Sequence, residues 1–108
     1  MDNLNENNSG GEGKIICYQI NLHKSSDAAV EHCKVLKIRE DSNFKISFIQ
    51  EPHIIKNTVK GFTDLNVFQY IGTEKVRAAI VTSPNIVSWP LLQFCTGDQA
   101  VISLMINK

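Results

Sequence analysis

The feature that most constrains this chain lies between Ile15 and Gln50, where the hydrophobic period changes twice. Ile15-Ile16-Cys17-Tyr18-Gln19-Ile20 is apolar on both alternating faces apart from Gln19, the pattern of an interior strand. Ser25, Ser26 and Asp27 then offer N-cap chemistry for a helix over residues 26–39, whose Ala29, Cys33 and Leu36 fall at i, i+4 and i+7. Val30 widens that stripe, while Glu31 and Lys34 face outward. Asp41-Ser42-Asn43 breaks the helix, and Phe44 to Gln50 follows as a second strand with Phe44, Ile46 and Phe48 on one face. The order so far is strand, helix, strand.

The remainder reads as mostly β. His53 to Asn66 holds Lys56, Asn57, Lys60, Gly61 and Asp64, which predicts a long loop. Val67–Ile71 and Val76–Thr82 are β-branched and aromatic runs around Gly72-Thr73-Glu74-Lys75, which predicts a hairpin ended by Ser83-Pro84-Asn85. Ile86 to Phe94 is apolar but interrupted by Pro90, so it is an edge or broken strand, with Trp89 read as core. Thr96-Gly97-Asp98 is turn-like, and Ala100 to Ile106 is a last strand. The fold class is α+β, with one clear helix.

A chain of 108 residues, 43% hydrophobic, builds one small domain with a core and has little room for a second. Met1 to Gly13 has too little apolar surface to offset the entropy of ordering it and is expected to be a disordered polar leader, with the domain over residues 14–108. Basic and acidic residues balance, 11 against 11, so the summed field steers the chain toward neither nucleic acid nor an anionic membrane. Nothing approaches the roughly 20 apolar residues of a membrane span, and the leader lacks signal-peptide character, so an intracellular setting, nuclear or cytoplasmic, is expected. Cys17, Cys33 and Cys95, an odd number set among apolar neighbours, suit reduced core thiols in such a setting.

Two strand ends carry the candidate chemistry: Gln19-Ile20-Asn21-Leu22 and Ile49-Gln50-Glu51-Pro52. A carboxylate at the end of a buried strand is rigid yet open to solvent, and Mg²⁺ often takes only one or two protein carboxylates, so Glu51 suits a Mg²⁺ ligand and Asn21 a group that orients it. The plain alternative is a solvated glutamate before a proline and an asparagine in a turn. Lys56, Lys60, Lys75 and Arg77 reach DNA phosphate if the 53–66 segment lies beside Glu51, although a solvated loop is the commoner explanation. His23, His32, His53 and the cysteines lack zinc-site spacing, cysteine–histidine catalysis is disfavoured by thiols that look buried, and no glycine-rich nucleotide cradle follows a strand.

In sequence, Gln19-Ile20-Asn21-Leu22-His23-Lys24-Ser25 and then Phe48-Ile49-Gln50-Glu51-Pro52 resemble the opening of the endonuclease domain of insect non-LTR retrotransposons. That domain belongs to the endonuclease/exonuclease/phosphatase superfamily, with apurinic-site endonucleases and deoxyribonuclease-I-like enzymes. Lys60-Gly61-Phe62, Val76-Arg77-Ala78-Ala79-Ile80-Val81, Trp89-Pro90-Leu91 and Phe94-Cys95-Thr96-Gly97-Asp98-Gln99-Ala100-Val101 are similar to its successive strands and turns, from about Lys14 to Lys108. Gly97 departs from the family, which more often has a basic residue there. The resemblance implies a partial four-layer α/β-sandwich, Glu51 as Mg²⁺ ligand, Asn21 in the hydrogen-bond network around it, and a structural turn at Asp98. It also implies nicking of DNA to prime reverse transcription, with a reverse transcriptase in cis.

The chain has no Gly-Asp-x-Asn and no Ser-Asp-His, the residues the family supplies later in a domain of about 200 to 250 residues. A truncated, inactive half-domain is therefore expected, with an exposed apolar sheet face and open strand edges that favour self-association. A small non-catalytic interaction module without a metal site is the second reading.

Overall fold

The computed structural model describes residues 14–38 and 44–105. The proposed leader, Arg39, the Asp41–Asn43 break and Ile106 lie outside the described residues. The elements in chain order are β1 (Ile15–Asn21), α1 (Ser26–Lys37), β2 (Phe44–Gln50), β3 (Ile54–Ile55), β4 (Thr58–Val59), β5 (Asn66–Phe68), β6 (Ala78–Thr82), β7 (Val87–Pro90), a 3₁₀ turn (Leu92–Phe94) and β8 (Ile102–Met105). The architecture is mixed α+β, mostly strands with one α-helix among the described residues. No helix among them is long and apolar enough to cross a membrane.

The main sheet has the order β1-β2-β6-β5. β1 and β2 are parallel from Ile15↔Phe44 to Asn21↔Gln50, as a helical crossover between them permits, while β6 is antiparallel to both β2 and β5. Ser25 caps α1, its hydroxyl accepting from the Ala28 amide at 3.1 Å. Ala29, Cys33 and Leu36 are buried against Ile49, Ala79 and Val81 of the sheet, with Tyr18, Ile20 and Val67 at the margin. Full burial of each larger aliphatic side chain contributes about 1.5–3 kcal/mol.

The helix packs on the face of β2 opposite to the one its apolar alternation suggests. Lys45, Ser47 and Ile49 lie beneath α1, and both polar residues are buried. They are tolerated there because each is bonded: the Lys45 ammonium donates to the Val35 and Ile38 carbonyls at the end of α1 (3.0 and 2.7 Å), and the Ser47 hydroxyl meets His32 Nε2 at 2.7 Å. His32 therefore takes the inward place that helical periodicity assigned to Val30, which is 47% exposed. On the other face, Ile46 and Ile80 pack with Ile86 and Ala100, which precede the strands of the antiparallel β7–β8 ribbon, and with Ile102 and Leu104 of β8. That ribbon leaves Ile15, Cys17 and Phe48 exposed, so Cys17 and Phe48 are not core residues. Trp89, at 43% exposure on the short β7 strand, is not core either.

Three further expectations are corrected. The 53–66 segment contains a small hairpin, β3–β4, because Lys56 and Asn57 both adopt positive φ (52° and 58°), the geometry of a tight two-residue turn that asparagine favours. The β5–β6 hairpin is real, but its connection runs from Gln69 to Arg77. Gln69 leaves the strand because its side chain accepts from the Val59 amide at 2.6 Å and donates to the Asn57 carbonyl at 2.9 Å. The helix ends at Lys37 rather than residue 39, since Ile38 is already extended.

His32 makes stability pH-dependent. Burial pushes its pKa below the usual histidine value of 6.5, since a charged imidazolium is poorly solvated between Tyr18 and Phe62. A histidine with a depressed folded-state pKa binds its proton more readily when unfolded, so stability rises with pH through that window. The stability His32 contributes as a neutral ring is expected to be complete well above pH 6.5 and to fall as pH drops below it. Urea denaturation at several pH values should show this fall in the native chain and a smaller one in His32→Gln. Equal pH slopes in the two would refute it.

Candidate functional site

Because β1 and β2 are parallel neighbours in register, their C-terminal ends leave the sheet side by side. Asn21 ends β1, and Glu51 directly follows β2. Backbone pairing continues beyond the strands: the Leu22 amide donates to the Gln50 carbonyl (2.9 Å), the Lys24 amide to the Glu51 carbonyl (2.8 Å), the Glu51 amide to the Arg77 carbonyl (3.0 Å) and the Arg77 amide to the Gly97 carbonyl (2.6 Å). Four separate chain segments are thereby stitched across one rim. His23, Lys24 and Glu51 all sit at positive φ (51°, 60° and 49°). Non-glycine residues in that region cost about 1–3 kcal/mol each.

Asn21 Oδ1 accepts from the His23 amide at 2.8 Å, which fixes the turn and occupies the oxygen. What Asn21 still offers is its amide NH₂, a donor suited to a carboxylate, a water or a phosphate oxygen. The Glu51 side chain is 48% exposed, and His23 Nδ1 lies 3.9 Å from its Oε1.

Beside Glu51 is a cleft of 360 Å³ lined also by Lys24, His53, Lys75 and Arg77. The 75–77 strip is held from both sides. Val76 is buried, Asn57 Oδ1 accepts from its amide at 3.0 Å, and Asn57 Nδ2 donates to the Glu74 carbonyl at 2.9 Å. On the other side is the predicted turn, where Thr96 and Gln99 exchange backbone hydrogen bonds. Gly97 belongs there for a steric reason: a Cβ would collide with the Lys75 carbonyl oxygen, and the Gly97 amide donates to Glu74 Oε1 at 3.0 Å. Asp98 accepts from Arg77 Nη1 at 2.9 Å, a contact that ties the turn to the cleft wall.

Lys56 and Lys60 stand elsewhere. Lys56 occupies the β3–β4 turn and Lys60 follows β4, its amide bonded to the His53 carbonyl, and neither lines the cleft. Lys24 was not singled out from sequence, and the available signal was its place three residues after Asn21 in the turn before a capped helix.

Among the described residues, no three His, Cys, Asp or Glu side chains gather to hold a metal ion. What the described residues offer at Glu51 is its carboxylate, with His23 Nδ1 3.9 Å from Oε1. That fits a largely hydrated Mg²⁺ whose other ligands are water and phosphate, and it does not fit a metal enclosed by protein ligands. Compared with family models, with curated proteins and with solved structures, the chain finds no match in any of the three.

Proposed function

We propose that this chain is the first half of a Mg²⁺-dependent DNA endonuclease domain of the endonuclease/exonuclease/phosphatase type, from a non-LTR retrotransposon, and that it is inactive by itself. The observation that carries the reading is that Asn21 and Glu51 end neighbouring strands on one rim, with Glu51 in a cleft walled by Lys24, Lys75 and Arg77. In this reading Glu51 holds Mg²⁺, which when bound supplies positive charge against the phosphate oxygens. The Asn21 amide donates to the phosphate or to the Glu51 carboxylate. Positive side chains around the cleft draw the DNA backbone to it. The residues that position water and complete the phosphate site come from the absent Gly-Asp-x-Asn and Ser-Asp-His segments. A reverse transcriptase in cis, and a nuclear or cytoplasmic location, belong to the same proposal.

Incubated with supercoiled plasmid and Mg²⁺, the 108-residue chain is expected to leave the plasmid intact. In a longer domain that carries this segment together with the missing motifs, Glu51→Gln is expected to lower nicking by about a hundredfold or more, the usual scale for losing a main source of transition-state charge stabilisation. Robust cleavage by the short chain would refute its inactivity. A completed domain indifferent to Glu51→Gln would refute the metal assignment.

That no three metal-ligating side chains gather at Glu51 among the described residues favours a second reading, a non-catalytic interaction module. Thermal unfolding with and without Mg²⁺ separates the two: a stabilising shift that Glu51→Gln abolishes supports the nuclease reading, and its absence supports the module.

A further inference from the structure

We propose that Lys24 and Lys75 are the residues that grip the nucleic-acid backbone at this cleft, one on each side of Glu51. The proposal rests on the nuclease reading for its partner but on geometry for its residues. Among the described residues the ammonium groups of Lys24 and Lys75 have no hydrogen-bond or ion-pair partner, whereas Arg77 Nη1 already donates to Asp98 at 2.9 Å. Both lysines line the cleft that contains Glu51.

Their backbones are fixed relative to that carboxylate. The Lys24 amide bonds the Glu51 carbonyl, and Lys75 is two residues from Arg77, whose carbonyl accepts from the Glu51 amide. Lys24 and Arg77 therefore flank Glu51 at about one strand spacing on either side, roughly 10 Å in all, and Lys75 lines the same cleft two residues before Arg77. Flexible, strongly hydrated ammonium ends suit phosphate as point charges and ask for no bidentate geometry.

The ligand class follows from exposure and charge. Two solvated lysines beside a carboxylate hold a small free anion poorly, because exposed ion pairs are worth about 0–1 kcal/mol each. A polyanion is different, since each neutralised phosphate releases condensed counterions and neighbouring contacts add. With 11 basic and 11 acidic residues, the chain has no general attraction for nucleic acid, so loss of two local cations should be readily seen.

Fluorescence anisotropy of a labelled 20-bp DNA duplex, titrated with the full chain in EDTA over a range of KCl, tests this without catalysis. The log K against log[KCl] line of Lys24→Gln/Lys75→Gln should be shallower than that of the native chain by nearly two, about 0.9 per lost phosphate contact. Lys56→Gln/Lys60→Gln should keep the native slope. All four lysines are solvent-exposed, and unchanged thermal melts confirm that the variants fold. An unchanged slope in the 24/75 variant, or a loss confined to the 56/60 variant, overturns the proposal. Displacement of the DNA by inorganic phosphate at matched ionic strength also overturns it, assigning the cleft to a free anion. Failure of the nuclease reading shows separately, as absence of Mg²⁺-dependent nicking by a completed domain while the slope change persists.

Discussion

Replacing Lys45 by methionine is expected to lower the unfolding free energy by about 2–3 kcal/mol, measured by urea denaturation at neutral pH. The apolar stem of the side chain would be retained, so the loss isolates the ammonium. In the native chain that group donates to the Val35 and Ile38 carbonyls at 3.0 and 2.7 Å. These carbonyls lie in and just past the last turn of α1, where the backbone has no further intrahelical donors and carries the negative end of the helix dipole. Hydrogen bonds to a charged donor contribute about 1.5–3 kcal/mol each, but relief from desolvating the ammonium offsets part of the sum. Lys34→Met is the control. Lys34 meets Glu31 at 3.0 Å in solvent, and its loss should change stability by no more than about 0.5 kcal/mol. A Lys45→Met chain as stable as the native one would show that the ammonium does not secure the helix end.

Gly61→Ala is expected to cost about 3 kcal/mol or more, from two independent sources. Gly61 has φ 103°, a conformation that side chains other than glycine rarely adopt. A Cβ added there would stand 2.8 Å from the Cβ of Ala29, a fully buried residue of α1. The segment after β4 thus approaches the helix so closely that only a hydrogen fits between them. A double-mutant cycle separates the sources. In Ala29→Gly/Gly61→Ala the collision is removed but the backbone strain remains, and glycine inside the helix adds about 1 kcal/mol. The double variant should therefore be less destabilised than the sum of the single ones by about 1–2 kcal/mol. Strict additivity would mean that the steric contact carries no energy.

Neither effect can be anticipated from local pattern, which explains how much of the molecule was legible in advance. The bounds of β1 and β2, an N-cap within Ser25–Asp27, the Ser83–Asn85 stop and the Thr96–Asp98 turn follow from short-range signals, and the structure agrees with them, placing the cap at Ser25. The face of β2 that meets the helix does not. Alternation of Phe44, Ile46 and Phe48 marks that side as the apolar one, yet Lys45 and Ser47 lie under α1 because His32 and two helix-end carbonyls, on the preceding element, complete their hydrogen bonds. The exposure of Cys17 and Trp89 likewise is not written in their apolar neighbours.

The candidate site divides along the same line. Sequence alone determined that Asn21 and Glu51 end two strands joined by a helix, because strand limits are written in hydrophobic period and turn residues. Tertiary structure decided that those strands are parallel neighbours and that the Gln69–Arg77 connection is drawn against their ends. It also decided that Lys24 and Lys75, rather than Lys56 and Lys60, share a cleft with Glu51. Strand period is a property of adjacent residues. The company a charged side chain keeps is set by backbone hydrogen bonds between segments dozens of residues apart, and the cleft exists only once those bonds have formed.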